Sequence, residues 1–436
     1  MNTLLFIGYA LLHGRLAALE FLGRRSPGSG RLRIGARRAI LLSTPELVEE
    51  VLVQRTDEFQ KGPALRVYSR PLLGNGILSS EGETHRKHRR LVAPAFAHQR
   101  VSRYADVMSA MARQTCHAWP AGGVISMHRE MTRLTLGIVG RTLFDADLLQ
   151  EADAIGSRIT ELIRYATDQT RSFRPVPLEK DTPQNRRARE SVEKLNQTIY
   201  GMIEQRRASA EDKGDLLSML LLARDEEGGS LSDEQVRDEA MTLFVAGHET
   251  TANATTWSLY LLARNPDVQR ALREQVRAAV GMRAITFADL PKLPLALEIF
   301  KESMRLYPPA YIVVREPLKD LEVGDGIKVK KGELIAMCEW VLHRDPRYFP
   351  DPLRFDPSRF SPENEPKIPR YAYFPFGGGR RICIGNQFAL MEGQIILATV
   401  AQYCTLEMVG PKAVHGDPLM TLRPDGAVMM RVGSQQ

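Results

Sequence analysis

Residues 374–385 read Phe374-Pro375-Phe376-Gly377-Gly378-Gly379-Arg380-Arg381-Ile382-Cys383-Ile384-Gly385, and an apolar stretch with helical spacing, from about Gln387 to Tyr403, follows directly. Three consecutive glycines let the backbone fold tightly and come close to a flat ligand, and Gly385 removes a side chain where the chain turns into the helix. Cys383 is thereby placed at a helix N-terminus, where free N–H groups and the helix dipole favour its anionic form. A thiolate held by backbone donors suits a metal that must be electron-rich. Taken alone, the loop also allows a buried, inert cysteine beside a glycine-rich turn. It does not make a phosphate loop, because no Lys followed by Ser or Thr comes after the glycines.

The chain of 436 residues is 43% apolar and 25% charged, the balance of a globular protein able to bury a large core. Its four cysteines, Cys116, Cys338, Cys383 and Cys404, form no C-x-x-C pair. That argues against a disulfide scaffold or a zinc site and for a reducing compartment. The net charge is +7, with short basic clusters at Arg86-Lys87-His88-Arg89-Arg90 and Arg380-Arg381. Neither cluster is interleaved with aromatic residues, so no nucleic-acid partner is expected. The apolar run Leu4 to Leu12 is broken by His13, Gly14 and Arg15, well short of the roughly 20 residues a membrane span needs. No basic region precedes it, so the expectation is a soluble, cytoplasmic protein with neither signal peptide nor transmembrane segment.

Apolar residues recur at helical spacing through most of the chain, for example over Thr44 to Val53, Gln184 to Arg207 and Val268 to Val280. Strand signals are short. Arg31 to Ser43 reads as a hairpin around Gly35, and Leu419 to Val432 as another around Arg423-Pro424-Asp425-Gly426. The fold class expected is mainly α with small β-sheets. No repeat or Gly/Ser linker divides the chain, and Gly74-Asn75-Gly76 lacks the third glycine of a dinucleotide fingerprint. One domain over residues 1–436 is expected, and the 53 residues after Cys383 are too few for a fused reductase.

Ser232 and Gln235 form a capping-box start, and helical periodicity then runs to Arg264, before Asn265-Pro266. That is a helix of about 48 Å, long enough to cross a whole domain. Its middle reads Ala246-Gly247-His248-Glu249-Thr250-Thr251, where small residues permit close approach of a ligand and hydroxyls compete for backbone carbonyls. A polar patch satisfied by back-bonding along the helix explains this segment equally well when it is taken alone.

Phe376, Gly379, Arg381, Cys383 and Gly385 match, in order and spacing, the F-x-x-G-x-R-x-C-x-G signature of the cytochrome P450 superfamily. Three further motifs extend the resemblance over roughly residues 40 to 432, and they resemble the bacterial soluble type. The resemblance implies haem b (iron protoporphyrin IX) with Cys383 as its axial iron ligand and Phe376, Ala246 and Gly247 in the cofactor site. The central segment looks like the family's A-G-x-E-T motif, which implies that Thr250 holds dioxygen and water while Glu249 connects the site to bulk protons. Cleaving the O–O bond requires two protons, so an acid and an alcohol make a minimal relay. His248 occupies the variable position and is expected to be outward or structural.

Glu302 and Arg305 are three apart on one helical face and match the family's E-x-x-R pair, whose third member would be Arg359 in Asp356-Pro357-Ser358-Arg359-Phe360. That network is structural. His85 and Arg89, four apart, together with Arg315 and Arg381, match positions that face the haem propionates. The implied activity is a monooxygenase that hydroxylates or epoxidises an apolar small molecule (lipid, terpenoid, steroid or fatty acid). Its electrons would come from a ferredoxin- or flavodoxin-type donor with its reductase, docking near Arg380, Arg86, Lys87 and Arg90. By position in the family, the pocket would draw on Pro63 to Gly82, Ile155 to Phe173, Phe244, Ala310 to Val314 and Leu419-Met420. Two other readings stay open: a peroxide-using haem enzyme, which usually lacks the acid–alcohol pair, and a non-catalytic haem-binding protein, which needs the cysteine loop alone.

Overall fold

A computed structural model describes residues 3–34, 36–209, 211–223, 230–410 and 413–433. The fold is mainly helical with small sheets, as the periodicity predicts. Along the chain the helices that position the site are α1 (Thr3–His13), α2 (Arg15–Arg25), α3 (Gly82–Val92), α4 (His98–Ala118), α5 (Met127–Leu143), α6 (Ala152–Arg171), α7 (Pro183–Ser209), α8 (Asp233–Arg264), α9 (Pro294–Leu306) and α10 (Asn386–Tyr403). The expected helix Val268 to Val280 is seen as Pro266–Ala279, its proline in the first turn. The expected helix Thr44 to Val53 is shorter. It is α-helical over Pro45–Glu49 and widens into a π turn over Glu50–Gln54.

α8 organises the core. The Ser232 hydroxyl accepts from the Gln235 N–H, and the Gln235 side chain accepts from the Ser232 N–H, so the capping box is complete. From Val236 to Leu262 nearly every residue of α8 is buried, polar side chains included, so its neighbours enclose it. α5 covers one flank of α8, with the Thr135 hydroxyl donating to the His248 carbonyl at 3.1 Å, and Trp257 stacks on Tyr307 at 4.0 Å just beyond α9. α10 comes close to α9 only because residue 393 is glycine; a Cβ there would collide with the Phe300 ring.

A five-stranded sheet brings distant segments together in the order β1 (Ser29–Ile34), β2 (Arg37–Leu42), β5 (Leu334–Met337), β4 (Val313–Pro317), β3 (Phe59–Lys61). β1 and β2 form the expected hairpin, although Gly35, its presumed turn residue, lies outside the described residues. The β3–β4 register sets Lys61 directly opposite Arg315.

The second expected hairpin is not formed. β6 (Gly416–Pro418) pairs with β7 (Leu422–Pro424), while β8 (Met429–Val432) joins a separate sheet between Val124–Ser126 and Leu406–Met408. Contacts with α8 override the local turn signal. The Trp257 indole donates to the Leu422 carbonyl at 3.3 Å and Arg423 pairs with Glu249, so β7 is held against the helix. Pro424-Asp425-Gly426 then serves as the step between two sheets.

Glu302, Arg305 and Arg359 stand together. Arg305 is fully buried and holds Glu302 through two bonds of 2.7 and 2.8 Å. It also donates to the carbonyls of His343, Pro352 and Arg354. Arg359 lies 3.6 Å from Glu302.

Candidate active site

From Val236 to Leu262 the residues of α8 are buried except Ala246, Gly247 and Thr250. These share one face of the helix, so a hollow abuts it there; an interior packed to ordinary density would leave no such surface. Thr250 Oγ1 donates to the Ala246 carbonyl at 2.8 Å. His248 points the other way and is fully buried, its Nδ1 2.8 Å from the Phe244 carbonyl, which corrects the outward alternative. Phe244 is likewise fully buried, edge-on to Phe144, and belongs to the core and not to a pocket wall.

The cysteine loop is closed by the Cys383 N–H donating to the Phe376 carbonyl at 2.9 Å. Gly379 sits at φ +62° with no room for a Cβ beside the Leu52 carbonyl. The Cys383 side chain presents surface, yet the chain encloses it so closely that burial raises its pKa. The Gly385 N–H and the Arg89 charge oppose that rise without overcoming it. Surface within an enclosure is the wall of a cavity. The helix terminus favours the anion and burial opposes it more strongly; a haem iron held by Cys383 would favour the thiolate.

A group of basic side chains converges beside the loop. His85 is buried on α3, and burial, followed by the charges of Arg381, Lys61 and Arg89, lowers its pKa to about 3. Arg315 is buried with a bond to the Val314 carbonyl at 3.1 Å, and burial lowers it to about 10. Arg89 donates to the Ile382 carbonyl at 2.9 Å, and Arg381 to the Ser80 carbonyl at 3.0 Å. Lys61, which the sequence reading overlooked, donates to the carbonyls of Ile77 and Ser80; burial, then Arg381, brings it to about 7. The carboxylate bonded into this group is Glu81, which pairs with Arg381 and accepts the Lys61 backbone N–H. Arg89, Arg315 and Arg381, with Lys61 near its midpoint, stand beside one bonded carboxylate and leave positive charge uncompensated, while the neutral His85 can serve as a hydrogen-bond donor.

Glu249 lies against α8's other neighbours. Its two oxygens hold Arg423 bidentately at 2.6 Å each, and it accepts from Thr421 and Asn253 at 2.8 Å. Burial alone would raise its pKa, but Arg423 outweighs that and holds it at about 2. Arg423 also reaches Thr160 on α6 at 2.8 Å. Sequence reasoning missed Arg423, and it missed Glu392, an acid within the apolar run of α10. Glu392 is fully buried, pushed well above the ordinary carboxylate range by burial, and its carboxyl lies against the Thr251 hydroxyl.

The family profile described as Cytochrome P450 matches residues 29–430. The chain belongs to the cytochrome P450 family. This cytochrome P450 is 38% identical over 425 residues to the cyclooctatin synthase of Streptomyces melanosporofaciens, covering 95% of this chain and 91% of that protein. It is 36% identical over 399 residues to the cyclooctat-9-en-7-ol 5-monooxygenase of the same organism, covering 90% and 85%. It is 33% identical over 374 residues to the pentalenene oxygenase of Streptomyces avermitilis, covering 85% and 82%. The enzyme is a cytochrome P450 monooxygenase with a haem-thiolate cofactor and an apolar substrate. Its residues fit that cofactor: a sulfur on a cavity wall beside basic side chains that outnumber their bonded carboxylate matches an iron macrocycle carrying two carboxylates.

Proposed function

We propose that this P450 hydroxylates or epoxidises a compact polycyclic terpenoid-type hydrocarbon or alcohol, using electrons from a separate ferredoxin- or flavodoxin-type donor and its reductase. The observation that carries the reading is the opening in α8 at Ala246, Gly247 and Thr250, an apolar face with one hydroxyl, which orients an apolar molecule with little else to grip. Relatives named for an alkene and for an alkenol support the substrate class. When bound, the haem on Cys383 supplies the oxidation chemistry.

In this reading His85, Arg89, Arg315, Arg381 and Lys61 hold the propionates, and Phe376, Ala246 and Gly247 shape the cofactor site. Thr250 turns its hydroxyl from the Ala246 carbonyl toward the hollow to place a proton. Glu249 links that face to bulk protons when its pair with Arg423 opens, and Glu392 keeps a proton beside Thr251. Turnover on a panel of such hydrocarbons, with reduced ferredoxin or with hydrogen peroxide as co-reactant, tests the proposal. Product with ferredoxin and little with peroxide supports it; the reverse identifies a peroxygenase.

Thr250→Ala should lower product formation about 100-fold, the ordinary scale of a lost proton-transfer group, while electrons drain to hydrogen peroxide. Peroxide release and product, measured together, check this. Wild-type product per electron pair would remove Thr250 from the relay.

The donor is assigned to the face that carries Arg86, Lys87, Arg90 and Arg380. Arg86 pairs there with Glu83 at 3.2 Å and Arg380 with Asp57 at 2.8 Å, both at the surface. Surface pairs of this kind exchange readily with an acidic partner. Reversing Arg86 and Arg380 to Glu should slow haem reduction about tenfold at low salt and flatten its salt dependence. Stopped-flow reduction reads the effect, and unchanged rates would move the donor elsewhere.

A further inference from the structure

Two of the four cysteines meet in the fold. α4 and α10 run side by side in the same direction: the Tyr104 ring packs edge-on to Phe388 at 5.8 Å, and further along both helices the His117 ring packs edge-on to Tyr403 at 4.8 Å. Cys116 and Cys404 adjoin that second contact, one just inside the end of α4 and the other just past the end of α10. Each is 1% exposed, and the Cys116 thiol donates a hydrogen bond to the Cys404 sulfur. Cys338, by contrast, donates to the Tyr311 carbonyl at 3.3 Å.

The pair is not symmetric. Gln269 donates to the Leu406 carbonyl at 3.1 Å and accepts the Leu406 N–H at 2.8 Å, which fixes the helix Pro266–Ala279 over the segment leaving Cys404. Arg273, one turn further on the same face, sets its charge against Cys404. Its Nε and Nη2 are buried with no hydrogen-bond partner among the described residues. The bond from Cys116, opposed by burial and aided by Arg273, holds the Cys404 thiol below its ordinary pKa, and the same bond holds Cys116 above. Cys404 is therefore the nucleophilic sulfur of the pair and Cys116 the one that keeps its proton. Arg273 is only half-buried, so Cys404 lies one side chain beneath the surface.

We infer that Cys116 and Cys404 are a peroxide-reactive thiol pair that closes to a cystine and staples α4 to α10. The oxidant is hydrogen peroxide, small enough to pass a single side chain. The Cys404 thiolate attacks one peroxide oxygen: an S–O bond forms, the O–O bond breaks, and the departing hydroxide takes up a proton, leaving a sulfenic acid and one water. The Cys116 sulfur then attacks the Cys404 sulfur: the S–S bond forms, the S–OH bond breaks, and hydroxide leaves with the Cys116 proton as a second water. The two sulfurs together lose two electrons, and peroxide is reduced to two waters. An enzyme that reduces dioxygen meets peroxide whenever its electrons are spent without product. α10 begins just after Cys383, so a staple at its far end secures the helix that follows the iron ligand.

The test treats the haem-loaded full chain with a small excess of hydrogen peroxide, then denatures, alkylates and maps it by mass spectrometry. Peptides joined between Cys116 and Cys404, and separated by dithiothreitol, are expected. Cys116→Ala should leave a Cys404 sulfenic acid that dimedone traps, whereas Cys404→Ala should leave Cys116 reduced. Oxidised wild type should need more urea to unfold, because the link closes a long loop in the unfolded chain, and dithiothreitol should reverse the shift. Both thiols free after peroxide, a link through Cys338 or Cys383 in place of this one, or equal sulfenic yield from the two variants overturns the proposal. An unchanged unfolding midpoint in the linked protein overturns the staple. If a variant fails to fold, the wild-type peptide map and its urea midpoint still decide.

Discussion

Cys383→Ser is expected to abolish monooxygenase turnover and the absorption signature of thiolate-ligated haem, while the chain still folds. The frame of the loop does not depend on sulfur: the bond from residue 383 to the Phe376 carbonyl is a backbone bond, and Gly379 sets the turn. What serine cannot supply is a soft anionic ligand. The buried thiol already has a raised pKa, and a hydroxyl in the same enclosure lies much further from ionisation, so the metal gains no thiolate. The absorption spectrum with haem and reductant, measured beside product formation, tells the cases apart. Retention of a thiolate-type spectrum would show that another cysteine reaches the iron, although Cys116, Cys338 and Cys404 are all buried elsewhere in the fold.

Arg423→Met should cost about 3 to 5 kcal/mol of folding stability, the usual penalty for leaving a buried charge without its partner. Glu249 is 4% exposed and Arg423 7%, so water does not take over the lost bonds. Adding Glu249→Gln to Arg423→Met should restore most of that loss, because no charge is then left alone. The pH dependence has a definite sign. In the wild type the Glu249 pKa is lowered to about 2 from an ordinary 4.5, so its contribution is complete above the unfolded value and is lost as pH falls toward 2. Without Arg423, burial raises the same carboxyl, so the stability gap between variant and wild type should narrow as pH falls. Denaturant unfolding of the wild type and the two variants at neutral and mildly acidic pH gives all of these values. A gap independent of pH would mean that Arg423 acts through packing and not through charge.

Much of the fold was legible because its signals are local. The capping box at Ser232 and Gln235 lies within a single turn, and the cysteine loop spells out its geometry in ten residues. The elements misread or missed depend on partners far along the chain. Lys61 belongs to the site because β3 pairs with β4 in a register that sets it opposite Arg315, and no window around residue 61 contains that information. Arg423 looked like part of a turn, yet its guanidinium is bound to a carboxylate 174 residues earlier. Glu392 sat in an otherwise apolar run, where a single acid reads as an outward position; the packing of α10 against α8 turns it inward. At Cys383 the helix-terminus effect was legible because it is local, whereas the burial that opposes it is not.

The parallel pairing of β2 with β5 joins Ala39 to Leu334, so the second edge of β2 waits while nearly 300 further residues are synthesised. Until then Ile40, Leu41 and Leu42, paired with β1 on one side, have an open edge on the other, a state that invites association between copies. Arg31 and Arg33 on β1, with Arg37 and Arg38 at the start of β2, are placed to act as gatekeepers, since like charge on two nascent chains would oppose their pairing before β5 arrives. Neutralising them should therefore lower the soluble yield during expression, through the order of synthesis and with the finished fold unchanged.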